Sequence, residues 1–94
     1  METSQQAEAV GGFLDRWLAK RAPKSQRDLT AGERRELRRM AMGMSCKESA
    51  GVAELSPESV RAYRKRIYRV LGLEGHPEVL GSMLADALQA PGVR

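Results

Sequence analysis

The stretch LSPESVRAYRKRIYRVLGL, residues 55–73, decides the fold of this chain of 94 residues. Ser56 followed by Pro57 is a strong helix start, because serine caps the first backbone amides and proline lacks the amide that would stay unpaired there. Gly72 is a typical helix stop, since glycine readily adopts the left-handed conformation that ends a helix. The stretch therefore predicts a helix over residues 57–71.

This predicted helix has two chemically different sides. On a helical wheel its apolar residues cluster within ~100° of arc, and they are Val60, Tyr63, Ile67, Val70 and Leu71. The opposite side consists of Glu58, Arg61, Ala62, Lys65 and Arg69. We expect the apolar side to bury against other helices while the opposite side presents its cations to a partner.

The excess positive charge of the chain falls within this one segment. Residues 56–71 hold five basic residues and one acidic residue, a net charge of +4, and the rest holds eleven of each sign. Positive charge concentrated on one helix is typical of a protein that binds a polyanion such as nucleic acid. A solvated basic face without a partner is the alternative interpretation of the charge alone.

Capping signals upstream predict two more helices. Thr30 precedes Glu33 by three residues and Ser45 precedes Glu48 by three, and each pair fits a capping box, while Gly43 supplies a stop between them. Apolar residues at helical spacing predict a helix at each end of the chain. The predicted all-α architecture comprises helices over residues 5–21, 31–42, 46–53, 57–71 and 77–90.

The predicted organisation is one small helical domain with an added helix. Residues 1–26 form an amphipathic helix and a Pro-containing linker, residues 27–90 form the domain, and residues 91–94 form a tail. The single Cys46 excludes an intrachain disulfide, and the single His76 argues against metal catalysis. No nucleophile or acid–base pair stands out, so we expect neither an enzyme nor a cofactor. Without a leader or an apolar run of ~20 residues, the expected location is the cytoplasm.

The outward side of the helix over residues 57–71 suits the major groove of double-stranded DNA. Arg61 and Lys65 can donate to guanine O6 and N7, and Ala62 permits close approach and contact with a thymine methyl. Arg64 and Arg66 lie at the flanks of this side, where phosphates run. The predicted base contacts are Arg61, Ala62, Lys65 and Arg69.

Residues spread along the chain repeat a known pattern. They are Leu29-Thr30, Glu33-Arg34, Glu36-Leu37, Ala41, Gly43, Ser45, Lys47-Glu48, Ala50, Leu55-Ser56, Ser59-Val60-Arg61, Ile67 and Leu71-Gly72-Leu73. Together they resemble the LuxR-type (GerE-like) helix-turn-helix domain over about residues 27–90, nearly without gaps. The resemblance implies a four-helix DNA-binding domain in which Ser56 caps the recognition helix. It also implies that Arg61, Ala62 and Lys65 touch base edges.

With the resemblance, the backbone contacts and the dimer surface can also be assigned. The predicted phosphate contacts are Thr30, Lys47, Ser56, Ser59, Tyr63, Arg64 and Arg66. The resemblance implies a homodimer paired through the last helix, with Leu80, Met83, Leu84, Ala87 and Leu88 as its contacts. The N-terminal helix with Phe13 and Trp17 is a second dimer surface to consider, and the alternative is that both helices close over the monomer's own core.

The chain departs from the family pattern at several positions. Ser49 stands where the family prefers Ile and Ala53 where it prefers Leu, while Tyr63 replaces His and Val70 replaces Lys. We expect the N-terminal helix to fill the space left by the missing aliphatic side chains. The predicted function is a sequence-specific transcriptional regulator of the stand-alone form, without a receiver or ligand domain. The alternative is a protein-docking module that acts on RNA polymerase or another regulator.

Overall fold

The structure, a computed structural model, describes residues 2–21 and 29–89. These residues form five helices and no strand, so the predicted all-α class is confirmed. The helices are α1 Glu2–Arg21, α2 Ala31–Ala41, α3 Cys46–Ala53, α4 Pro57–Leu71 and α5 His76–Leu88. Their bounds agree with the predicted ones to within a few residues. The predicted linker within residues 22–26 and the tail over residues 91–94 lie outside the described residues.

The predicted caps position the helices of the domain. At the start of α2, Thr30 Oγ1 accepts from the Glu33 amide at 3.1 Å and Glu33 Oε1 accepts from the Thr30 amide at 3.0 Å. Ser45 and Glu48 form the same reciprocal pair at the start of α3, at 3.1 and 2.8 Å. Because these bonds satisfy amides that have no partner within the helix, they fix where α2 and α3 begin.

The N-terminal helix belongs to the same hydrophobic core as the rest of the domain. Trp17 of α1 is 1% exposed, and its indole Nε1 donates to Ser82 Oγ on α5 at 3.2 Å. Lys20 forms an ion pair with Asp86 of α5 at 2.8 Å. The buried core residues are Leu14, Trp17, Leu18, Leu29, Leu37, Met40, Ile67, Leu71, Val79 and Met83. Helix α1 therefore closes over the monomer's own core.

The expectation that α1 fills the space beside Ser49 and Ala53 is wrong. Ser49 is fully buried, and its hydroxyl donates to Glu36 Oε2 at 2.9 Å. Ala53 lines an open groove of about 380 Å³ between α2, α3 and the start of α4. Helix α1 packs instead against α2 and is joined to α5 by side-chain bonds. A polar contact thus replaces one of the missing aliphatic side chains, and the space left by the other stays open.

A buried ion pair connects the middle of α4 to α2. Arg64 is 3% exposed and Glu36 is 0% exposed, and Arg64 Nε donates to Glu36 Oε2 at 2.6 Å. The Arg64 Nη2 group also donates to the Met44 carbonyl at 2.9 Å and to Ser49 Oγ at 3.3 Å. The other oxygen of Glu36 accepts from Arg39 Nε at 3.0 Å. Both buried charges therefore have opposite charges and hydrogen bonds around them, which offsets their loss of hydration.

We expect Arg64→Ala to lower the free energy of unfolding by roughly 3–5 kcal/mol, because it leaves the Glu36 carboxylate buried without its cation. The control replaces all three polar members, as Glu36→Leu/Ser49→Ala/Arg64→Met, and should be more stable than the single variant. Urea unfolding followed by circular dichroism measures both. An Arg64→Ala variant within about 1 kcal/mol of the parent would contradict the ion pair as a structural element.

Candidate nucleic-acid interface

The outward side of α4 carries the residues predicted to contact bases. Val60 and Ile67 are fully buried on its inner side, so the helix is anchored with a defined rotation about its axis. The exposed residues on the outer side are Glu58, Arg61, Ala62, Lys65 and Arg69. The structure thus places all four predicted base-contact residues on one exposed surface, called here the α4 outer face.

The first turn of α4 holds two serines and an ion pair. Ser56 Oγ accepts from the Ser59 amide at 3.1 Å and lies 3.1 Å from the Ser59 hydroxyl. Glu58 Oε2 lies 3.7 Å from Arg61 Nη2, and both side chains are largely exposed. The two serines predicted to contact phosphates therefore lie at the exposed start of the helix, beside the α4 outer face.

The flank of α4 next to α2 gathers three of the predicted phosphate contacts. A Cβ built on Gly32 would lie 3.5 Å from the Tyr63 hydroxyl and 3.9 Å from Thr30 Oγ1, so both oxygens border this glycine. Arg66 Nε lies 2.8 Å from Glu33 Oε2, and the Arg66 side chain remains 44% exposed. Hydroxyl and guanidinium donors thus line this side of the α4 outer face.

The other flank of α4 faces the starts of α3 and α5. A cavity of about 310 Å³ lies there, lined by Cys46, Arg61, Arg64, Lys65, Tyr68 and His76. Lys47 follows Cys46 in the first turn of α3, and its side chain is exposed. Arg61 and Lys65 of the α4 outer face thus border this cavity, whereas Lys47 lines a separate groove with Met42 and Glu48.

The prediction that Arg64 contacts a phosphate is corrected by its burial. Arg64 is only 3% exposed, and its guanidinium is bonded to Glu36, Met44 and Ser49 inside the domain rather than presented at the surface. The position of Arg64 in the sequence indicates this burial, since it lies four residues after buried Val60 and seven before buried Leu71, on the same side of the helix. Residue type suggested the surface, whereas helical periodicity indicated the interior.

The predicted dimer residues divide between the core and the surface of α5. Leu84 and Leu88 are 60% and 63% exposed, and Leu80 and Ala87 are half-buried. Met83 is 5% exposed and belongs to the monomer's own core, so its assignment to a dimer contact is corrected. An apolar groove of about 370 Å³ runs beside Leu80 and Leu84 and is bordered by residues of α1.

His76, the first residue of α5, lies against the buried ion pair. Its Nδ1 is 3.4 Å from Arg64 Nη1, and its Nε2 is buried with no hydrogen-bond partner among the described residues. Burial lowers the pKa of His76 below its ordinary value of 6.5, and the Arg64 charge lowers it further. The folded protein therefore favours the neutral imidazole.

The lowered pKa of His76 predicts a loss of stability in mild acid. Above pH 6.5, the ordinary pKa of His76, the imidazole is neutral in both the folded and the unfolded chain. Below that pH the unfolded chain takes up a proton more readily, so stability falls until the folded pKa is passed. His76→Gln should remove this part of the decline. Urea unfolding of parent and variant at pH 7.5 and at pH 5.5 tests it, and parallel declines would contradict it.

Over the described residues, the structure offers neither a metal site nor a membrane-spanning helix. It brings together no group of three or more His, Cys, Asp or Glu side chains that could hold a metal ion. None of the helices in residues 2–21 and 29–89 is long and apolar enough to cross a membrane.

The three-helix arrangement of α2, α3 and α4, with an exposed basic face on the last of them, defines a helix-turn-helix DNA-binding domain. The family model of bacterial regulatory proteins, luxR family, matches residues 27–82. The chain belongs to that family, as the residues of its capping boxes and recognition helix indicated. Comparisons with curated proteins and with solved structures give no significant match.

Proposed function

We propose that the protein is a sequence-specific transcriptional regulator that places α4 in the major groove of double-stranded DNA. The observation that carries the proposal is the α4 outer face, where three exposed cations surround the small side chain of Ala62. A major groove is wide enough for a helix, and its base edges offer acceptors to such cations. Family membership supports DNA binding in general. The regulator is proposed to act in the cytoplasm.

Base and phosphate contacts have different roles in this proposal. Arg61 and Lys65 donate to guanine, Ala62 allows the close approach, and Arg69 extends the reading surface toward the end of α4. Contacts to phosphates position the helix without reading sequence. The residues proposed for them are Thr30, Lys47, Ser56, Ser59, Tyr63 and Arg66. Arg64 is left out because its guanidinium is buried.

The Arg61→Ala/Lys65→Ala variant should lose selective binding, since each good base contact contributes about 1–3 kcal/mol of discrimination. A binding site is first selected from random oligonucleotides with the parent protein, and affinity is then measured by fluorescence anisotropy. Arg16→Ala/Arg38→Ala is the matched control, because it also removes two exposed cations, one on α1 and one on α2 beside Gly11, away from the α4 outer face. The proposal fails if the double variant binds the selected site as tightly as the parent.

We also propose that the regulator acts as a homodimer through α5. The exposed Leu84 and Leu88, with the half-buried Leu80 and Ala87, form an apolar strip that a second copy can cover. A two-fold axis there requires a pseudo-palindromic site with recognition helices about 34 Å apart, one turn of DNA.

Leu84→Glu should abolish dimerisation, because it places a charge in an apolar interface, and should weaken binding to the selected site. Weak non-specific attraction to DNA should persist, because it depends on cations elsewhere. Sedimentation at micromolar concentration gives the oligomeric state. Glu78→Gln, an exposed change in the first turn of the same helix whose side-chain oxygen can still accept from the Glu74 amide, is the control. A parent that sediments as a monomer and binds DNA one-to-one would exclude the dimer.

A protein-docking module is the second candidate function. The observation that favours it is a set of exposed apolar side chains around α3, with Val52 63%, Met42 40% and Leu55 37% exposed. RNA polymerase or another regulator is the expected partner class. Such a module shows no sequence-selective shift in a binding assay with DNA, and this separates the two functions.

A further inference from the structure

The α4 outer face contains one acidic side chain, Glu58. Its side chain is 80% exposed, and its Oε2 lies 3.7 Å from Arg61 Nη2. The Arg61 side chain is 55% exposed. The two acids that contact α4 from α2 differ from it, since Glu33 and Glu36 are buried and hold Arg66 and Arg64. Glu58 is thus a carboxylate held out toward the space that the proposed DNA would occupy.

A carboxylate at this position has opposite effects on the stability of the helix and on its affinity for DNA. It favours the helix itself, because negative charge in the first turn complements the helix dipole. It disfavours DNA in general, because the phosphates repel it. In the major groove, however, a carboxylate has one matching base edge, since cytosine N4 is a hydrogen-bond donor. The same group therefore weakens binding to most sequences and favours sites with a suitably placed cytosine.

We propose that Glu58 is a specificity-determining residue that accepts a hydrogen bond from cytosine N4. The proposal rests on the proposed function, because it requires α4 in the major groove. Glu58 and Arg61 lie one helical turn apart on the same side, so their head groups reach neighbouring base edges. Arg61 donates to a guanine, and Glu58 accepts from a cytosine at a neighbouring base pair. The ion pair between them keeps the carboxylate beside a cation, which offsets its repulsion by the phosphates.

The test compares base preferences of the parent, Glu58→Ala and Glu58→Gln on the site selected with the parent protein. Affinity is measured by anisotropy for that site and for single-base variants of it. The parent should prefer cytosine at one position by about tenfold, the usual size of a good base contact. Glu58→Ala should lose that preference. Glu58→Gln should prefer adenine there, because an amide matches adenine N6 and N7.

A matched control separates base reading from simple charge removal. Glu78→Gln also removes one exposed negative charge from the first turn of a helix, α5, outside the α4 outer face. It should tighten binding to all sequences slightly and leave base preference unchanged. Glu58→Gln should instead weaken binding to the selected site while tightening binding to unrelated DNA. If Glu58→Gln tightens both, as Glu78→Gln does, the role of Glu58 in base reading is overturned.

Failure of this inference differs from failure of the proposed function. If the parent protein selects no sequence, both are overturned. If the parent selects a site, and the Glu58 variants keep every base preference at that site, the regulator stands and only the role of Glu58 falls. Circular dichroism and thermal unfolding of each variant show whether a change in binding follows from a damaged helix. A folded variant with altered preference at one base position supports the inference.

Discussion

The buried guanidinium of Arg64 connects more of the domain than any other described polar side chain. It pairs with Glu36 of α2, donates to the Met44 carbonyl before α3 and to Ser49 within α3, and lies against His76 of α5. A rotation of α4 about its axis would separate these charges inside the domain, at a cost of several kcal/mol. The ion pair therefore fixes which side of α4 faces outward. The arrangement of the α4 outer face depends on it.

The same contacts change how the charge of α4 is distributed. The helix carries a net charge of +4 in sequence, but Arg64 is paired internally with Glu36 and Arg66 pairs with Glu33 at 2.8 Å. The cations left on the α4 outer face are Arg61, Lys65 and Arg69. Two of the five cations of α4 are thus paired with carboxylates of α2, while Lys65, Arg69 and the Arg61–Glu58 pair lie on the side that the apolar core leaves exposed.

Local signals in the sequence predicted the helices because each signal acts within one turn. The reciprocal bonds of Thr30 with Glu33 and of Ser45 with Glu48 form as the capping pattern indicated. Long-range packing could not be predicted in this way. The amphipathic pattern of α1 shows that it must pack against another helix, but not which one. The pattern of α5 likewise does not show whether Met83 packs in the core of its own chain or against a second copy. For Arg64 the residue type predicts the surface, but its position on the buried side of α4 and the buried Glu36 facing it from α2 keep it inside.

The docking of α1 has a consequence for how much protein is present in the cell. Trp17 contributes one of the largest buried side chains, and α1 is held to α5 by its bond to Ser82 and by the pair of Lys20 with Asp86. Small losses of stability enlarge the unfolded fraction that proteases remove. Substitutions at the buried positions of α1 therefore act on stability and turnover, whereas substitutions of the exposed side chains of α4 leave the core packing unchanged. Stability and the chemistry of the exposed side of α4 can therefore change separately in this chain, because different side chains carry them.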